Sequence, residues 1–141
     1  MGLIEDPLRK GAWDTRGLVV GGVQSGKTSN FIGLINKAYD AGYRCVIVLS
    51  GLHNNLRKQT QERIDQGCLA YDSRSYDIKT NFKDRLPLFK IHEGKNLDRE
   101  VIDTFTTADN KGDFNQSKAK GRNIVPENKI VFVIKKNKKV L

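Results

Sequence analysis

A glycine-rich run near the start of the chain constrains the fold more than any other feature. The run reads Gly-Gly-Val-Gln-Ser-Gly-Lys-Thr from Gly21 to Thr28 and matches the pattern G-x-x-x-x-G-K-[ST]. Glycines at these positions let backbone N–H groups point into one concave nest that binds phosphate oxygens. The pattern therefore predicts a phosphate-binding loop, which should sit between a buried strand and a helix.

The positions of this loop have predicted roles in binding ATP and Mg²⁺. Lys27 would place its ammonium group against the β- and γ-phosphates, and we assign the catalytic role to this residue. The Thr28 hydroxyl would be a ligand of Mg²⁺. The residues predicted to contact the nucleotide are Gly21, Gly22, Val23, Gln24, Ser25, Gly26, Lys27, Thr28 and Ser29.

The sequence on either side of the loop has the pattern of a βαβ unit. Gly17–Val20 is a short apolar run with β-branched residues, which predicts a buried strand before the loop. Apolar residues recur at helical spacing from Thr28 to Tyr39, and Ala41-Gly42 provides a stop signal. A second buried strand is predicted at Cys45–Leu49. We therefore expect an α/β fold with parallel strands.

Length and charge restrict the class of protein. With 141 residues the chain is long enough for one domain with its own core. It contains no 18-residue apolar run and no leader pattern, so we expect a cytoplasmic protein with no membrane partner. The two cysteines, Cys45 and Cys68, lack the spacing of a zinc site. The net charge of +9 favours a polyanionic partner such as nucleic acid.

A polar segment after the second predicted strand is a candidate for contact with nucleic acid. Gly51–Asn55 has the pattern of a strand-to-helix loop, and Leu56–Ile64 that of an exposed polar helix. In open parallel sheets, ligands meet the loops at the carboxyl ends of the strands, so this loop should share an edge with the phosphate loop. Its side chains are donors suited to a phosphodiester backbone, and a plain solvated helix is the alternative.

Four blocks of the sequence resemble, in the same order, the endonuclease Z-one domain family, which is related to superfamily-two helicases. Together they extend over nearly the whole chain. The blocks are Gly17–Asn30, Val46–Gln61, Thr106–Asp109 with Asp113-Phe114, and Val131–Asn137.

This resemblance implies a RecA-like, doubly wound α/β core of a P-loop ATPase that couples ATP to work on DNA or to its restriction. In the helicase-like superfamily, the block after the second strand and some later blocks contact a nucleic-acid backbone. Carried over to this sequence, the contact residues are Asn54, Asn55, Arg57, Gln59, Thr106, Thr107, Lys135 and Lys136, with Asn137 following them.

Several residues that ATP hydrolysis needs are not recognisable in the chain. An acidic residue should follow an apolar strand to hold Mg²⁺ and orient water, but the run Ile130–Ile134 ends in Lys135. No arginine finger and no P-D…(D/E)-x-K nuclease pattern can be assigned. We therefore expect residues 1–141 to be one partial ATPase domain, with the acid, the finger and a second RecA-like lobe beyond Leu141. A P-loop kinase and a nucleotide-binding module without its own catalysis are the alternatives.

The remaining segments have weaker patterns. Residues 67–86 and 111–123 are polar, and both are predicted to be exposed loops. Leu88–Ile91 has the pattern of a short strand, and an extended pattern begins near Ile102–Thr106. Val131–Ile134 is predicted to be a buried strand.

Overall fold

A three-stranded parallel sheet organises the part of the chain that the structure describes. The computed structural model describes residues 5–20, 26–69, 71–74, 102–119 and 128–136. The elements are α1 (Lys27–Asp40), β1 (Cys45–Ser50), α2 (Asn54–Ile64), a π-helical turn (Asp65–Leu69), β2 (Ile102–Thr104), α3 (Gln116–Ala119) and β3 (Lys129–Lys135). The strand order is β1-β3-β2, so the strand that comes last in the sequence lies in the middle.

The core lies between the helices and one face of this sheet. β3 is parallel to both neighbours, and its register pairs Val131 with Val46 on one side and with Thr104 on the other. Paired residues share a face, and side chains alternate between faces along a strand. The buried core residues are Ile35, Tyr39, Ile64, Cys68, Leu69, Ile102, Val131 and Val133. This arrangement confirms an α/β fold with parallel strands.

Helix α1 confirms the helix that was predicted after the phosphate loop. Gly26 precedes it with φ of 72°, a left-handed conformation that glycine adopts at little cost. The helix ends before Gly42, which has φ of 98° and donates its N–H to Tyr39 O at 3.1 Å. The Tyr39 hydroxyl also donates to Ile130 O at 3.1 Å, so the end of α1 is fixed to the start of β3.

The strand predicted at Gly17–Val20 is wrong. These residues form no strand, and the side chains of Leu18, Val19 and Val20 are 87%, 62% and 85% exposed. A β-branched run favours an extended backbone, but a strand also needs a neighbour to accept and donate its hydrogen bonds. Of the βαβ unit predicted around the loop, the described residues therefore contain the helix and the second strand only.

The strands predicted around Cys45–Leu49 and Val131–Ile134 are confirmed, as β1 and β3. The prediction that β1 is a buried strand is wrong for one of its faces, because Ile47 and Leu49 are 59% and 50% exposed. Val46 and Val48 point to the opposite face and pack against the core. The pattern of a continuous apolar run identified the strand, but it did not show which of its faces other residues would cover.

The two predicted loops are partly structured. Cys68, Leu69 and Ser73 are buried, so residues 67–86 are not an exposed loop throughout. In the second loop, Gly112 is buried and α3 follows at Gln116–Ala119. Leu88–Ile91, predicted as a strand, lies outside the described residues. None of the helices within the described ranges is long and apolar enough to cross a membrane.

Candidate nucleotide and nucleic-acid site

The structure describes the last residues of the predicted phosphate loop, which lie at the start of α1. Gly21–Ser25, which contribute five predicted nucleotide contacts, lie outside the described residues. Lys27 opens the helix with an exposed side chain, followed by half-buried Thr28 and exposed Ser29. The first N–H groups of a helix have no acceptor within the helix, and the helix dipole is positive at this end. This end therefore offers donors and positive potential to an anion.

The described donor groups fit the chemistry of a magnesium nucleotide. An ammonium group and backbone N–H groups suit phosphate oxygens, and the Thr28 hydroxyl suits Mg²⁺. Mg²⁺ in such sites takes few protein ligands and keeps waters and substrate phosphates around it. Within the described ranges, no three His, Cys, Asp or Glu side chains are grouped so as to hold a metal ion.

Arg63 lies beside the predicted phosphate contacts, and the sequence did not reveal this position. Its Nη1 donates to Thr28 Oγ1 at 2.9 Å. The two residues are 35 positions apart, and no motif links them. In the sequence Arg63 is only one of several basic residues on a predicted polar helix. No local signal placed it at the N-terminal end of α1.

A cleft of about 570 Å³ runs beside α1 from this same end. Thr28 and Arg63 line one part of it, and Asn36 and Lys37 line another. Asn36 is 6% exposed, and its Nδ2 donates to Gly67 O at 3.0 Å. Its Oδ1 is buried without a hydrogen-bond partner among the described residues. The cleft therefore continues along α1 past the predicted phosphate contacts, and Asn36 and Lys37 lie outside those contacts.

A second group of predicted residues meets at the carboxyl ends of β1 and β3. Lys135 Nζ donates to Asn54 Oδ1 at 2.9 Å, although the two residues are 81 positions apart. Lys135 also lies 3.6 Å from an oxygen of Asp113, with both side chains about one-third exposed. The backbone N–H of Lys136 donates to Ser50 O at 3.1 Å and joins the two strand ends. The structure thus brings Asn54 and Lys135 together at one edge of the sheet.

Three other residues predicted to contact nucleic acid are also on accessible surface. Asn55, Gln59 and Lys136 are exposed. Thr107 is half-buried, and its hydroxyl donates to Asp109 Oδ2 at 3.0 Å. Asn137 lies outside the described residues.

Arg57, by contrast, points into the interior. Its side chain has no exposed surface, and Nη1 donates to Thr107 O at 2.8 Å. Nη2 donates to Asp109 O, so the guanidinium holds two carbonyls of one loop. Burial lowers the pKa of Arg57, and the negative charges of nearby aspartates oppose that change. In this structure the guanidinium cannot reach a nucleic-acid backbone and instead fixes the loop after β2.

Thr106 is also fully buried and lies at the centre of a polar network. Its Oγ1 donates to Gln61 Oε1 at 2.8 Å and accepts the N–H of Val133 at 3.0 Å. Gln61 Nε2 in turn donates to Asp65 Oδ1 at 2.8 Å. The Thr106 side chain therefore connects α2 to β3, and it is not accessible to a ligand.

The network continues through Asp65 to a second loop. Asp65 Oδ2 accepts the N–H and the hydroxyl of Ser73 at 2.9 and 2.7 Å. Ser73 Oγ accepts the N–H of Ala108 at 2.9 Å. Burial raises the pKa of Asp65, whereas the hydrogen bonds from Gln61 and Ser73 lower it. Four separate segments of the chain are thus joined by one buried set of hydrogen bonds.

The described surface therefore has a donor-rich region at the start of α1 and another at the ends of β1 and β3. The first contains Lys27, Thr28 and Arg63, and it suits a phosphate group. The second contains Asn54 and Lys135, and it suits a phosphodiester backbone. Comparisons of the chain with protein-family models, with curated proteins and with solved structures give no match.

Proposed function

We propose that this chain is the ATP-binding part of a helicase-like, RecA-like ATPase that acts on DNA, as its resemblance to the Z-one domain family implies. The observation that carries the proposal is the agreement between motif and structure at α1. The helix begins at Lys27, the motif lysine, directly after a left-handed glycine. The motif requires this register, because it places the lysine and the Thr28 hydroxyl in the first helical turn.

Mg²⁺ and ATP are the proposed ligands of this end of α1. Lys27 would neutralise charge on the β- and γ-phosphates, and Thr28 would hold Mg²⁺. When bound, Mg²⁺ supplies charge neutralisation at the phosphates. The chain's own contribution is to orient the triphosphate through the backbone donors and the ammonium group at the start of the helix.

DNA is the proposed partner of the strand ends. Asn54 and Lys135 lie there together, and Asn55, Gln59 and Lys136 supply further exposed polar or basic side chains. Such residues fix register on a phosphate backbone and do not read its sequence. We assign Arg57 and Thr106 to a supporting role beneath this surface, since their side chains are buried.

The Lys27→Ala variant tests the nucleotide proposal. We expect it to weaken binding of ATP with Mg²⁺ by at least about tenfold, which corresponds to about 1.4 kcal/mol. The loss arises because one charged hydrogen-bond donor to phosphate is removed. Titration calorimetry with the full chain measures this change. Lys37→Ala is the matched control, since that lysine is exposed and lies ten residues further along the same helix. Equal ATP affinity of Lys27→Ala and wild type would refute the nucleotide site.

The Lys135→Gln variant tests the DNA proposal. We expect a several-fold weaker affinity that is independent of DNA sequence, with the salt slope of log K reduced by about one. Fluorescence anisotropy at several salt concentrations measures both quantities. Lys10→Gln is the control, because it removes the same charge from an exposed residue in the segment that precedes α1. In that segment Trp13 packs against Tyr43, which precedes β1, with 6.0 Å between the ring centroids. A Lys10→Gln effect as large as that of Lys135→Gln would mean that DNA is bound by overall charge alone.

A further inference from the structure

Arg63 belongs to α2, but its side chain lies at the N-terminal end of α1. It occupies the last turn of that helix, and its Nη1 donates to Thr28 Oγ1 at 2.9 Å. The residue is exposed, so the guanidinium is accessible to a ligand from solvent. The contact brings a positive charge to Thr28, the residue that follows the motif lysine Lys27 in the sequence.

Within the described part of the chain, no carboxylate forms an ion pair with Arg63. The adjacent Glu62 instead lies 3.8 Å from Arg74. A guanidinium has five N–H donors in a planar fork that matches phosphate oxygens, and one of them is used on the Thr28 hydroxyl. The remaining N–H donors of the Arg63 guanidinium are therefore suited to an anion.

The Thr28 hydroxyl oxygen has two competing roles. It accepts from Arg63 in this structure, and it is the proposed ligand of Mg²⁺. Two cations drawn to one neutral oxygen repel each other at such short range. With Mg²⁺ held at Thr28, the Arg63 guanidinium would donate to a phosphate oxygen instead, which would be the stronger acceptor for it.

We propose that Arg63 is a phosphate-contacting residue that makes the site prefer a triphosphate over a diphosphate. This inference rests on the proposed function. The Thr28 hydroxyl would hold Mg²⁺, and that ion would neutralise charge on the β- and γ-phosphates. Because Arg63 contacts the Thr28 hydroxyl, its guanidinium would be close to the γ-phosphate, which a diphosphate lacks.

The experiment compares the affinities of four full-length chains for ATP and for ADP, each with Mg²⁺. The chains are wild type, Arg63→Gln, Arg63→Lys and Lys37→Gln. Lys37 lines the same cleft, and nine helical residues place it about 13 Å from Thr28 along the axis. Its replacement removes the same charge from the same cleft at a distance from the proposed contact.

We expect Arg63→Gln to weaken ATP binding by about tenfold and ADP binding by less than about threefold. Arg63→Lys should fall between wild type and Arg63→Gln for ATP, because it keeps the charge and loses the fork. Lys37→Gln should change both affinities by less than about twofold. A thermal unfolding curve without nucleotide shows whether Arg63→Gln folds like wild type.

Two results would overturn this inference while the proposed function survives. One is an equal loss of ATP and ADP affinity in Arg63→Gln, and the other is a loss no larger than that of Lys37→Gln. If wild type binds neither nucleotide, both the proposed function and this inference are wrong. If binding depends on Lys27 and is indifferent to Arg63, only the role of Arg63 is refuted.

Discussion

Replacement of Arg57 by methionine is expected to destabilise the folded chain by about 3 kcal/mol, and replacement by alanine by up to about 5 kcal/mol. The guanidinium is fully buried and donates to Thr107 O and Asp109 O. Methionine fills a similar volume but donates no hydrogen bond, so two carbonyls lose their charged partner. Alanine adds a cavity to that loss. Urea unfolding of the full chain measures both values.

The neighbouring Lys58→Ala variant is the control for Arg57. Lys58 is on the same helix with a half-exposed side chain, so its removal should change the free energy of unfolding by no more than about 0.5 kcal/mol. The comparison also separates two roles for Arg57. A methionine variant as stable as wild type that loses DNA affinity would show that Arg57 contacts DNA directly and does not support the loop.

Thr106→Val is expected to cost about 2–4 kcal/mol of stability, even though valine has nearly the shape of threonine. The Thr106 hydroxyl accepts the N–H of Val133 and donates to Gln61 Oε1. Both partners are buried, so neither finds water when the hydroxyl is removed. The measurement is again the free energy of unfolding in urea, with an unchanged slope showing that the unfolded state is comparable.

Thr106→Ser provides the matched control, because it keeps the hydroxyl and removes one methyl group. Its expected cost is about 1 kcal/mol from lost apolar burial. If the free energy of unfolding decreases from wild type to Thr106→Ser to Thr106→Val, the hydrogen bonds contribute more to stability than the methyl group does. If valine proves as stable as wild type, the network at Thr106 contributes nothing to folding, and the threonine has to be explained by another role.

These two predictions bear on the DNA-contact residues implied by the resemblance. Arg57, Gln61 and Thr106 join α2 to the loop after β2 and to β3. The exposed Asn54 is on the same helix, and Thr107 is in the same loop. We therefore expect a variant that breaks the buried network to disturb the proposed DNA surface as well, without any of the buried side chains touching DNA.

The local elements of the fold followed from sequence pattern. Helical spacing and a glycine stop signal predicted α1, and apolar β-branched runs predicted β1 and β3. Gly17–Val20 has the same kind of run and forms no strand. The two runs differ in strand pairing, because β1 pairs with β3 over six residues. A short window of sequence does not show whether a run has a partner strand.

The sequence by itself therefore determined the helix that follows the predicted phosphate loop, two strands of the sheet and the positions of the motif residues Lys27 and Thr28. It did so because these depend on residue spacing within one segment. Only the tertiary structure decided that Arg57 is buried while Lys135 stays near the surface, and that Arg63 contacts Thr28. The burial of these side chains and their hydrogen-bond partners depend on other segments of the chain. The hydrogen-bonded pairs Arg63–Thr28 and Lys135–Asn54 are 35 and 81 residues apart, and packing of the core brings them into contact.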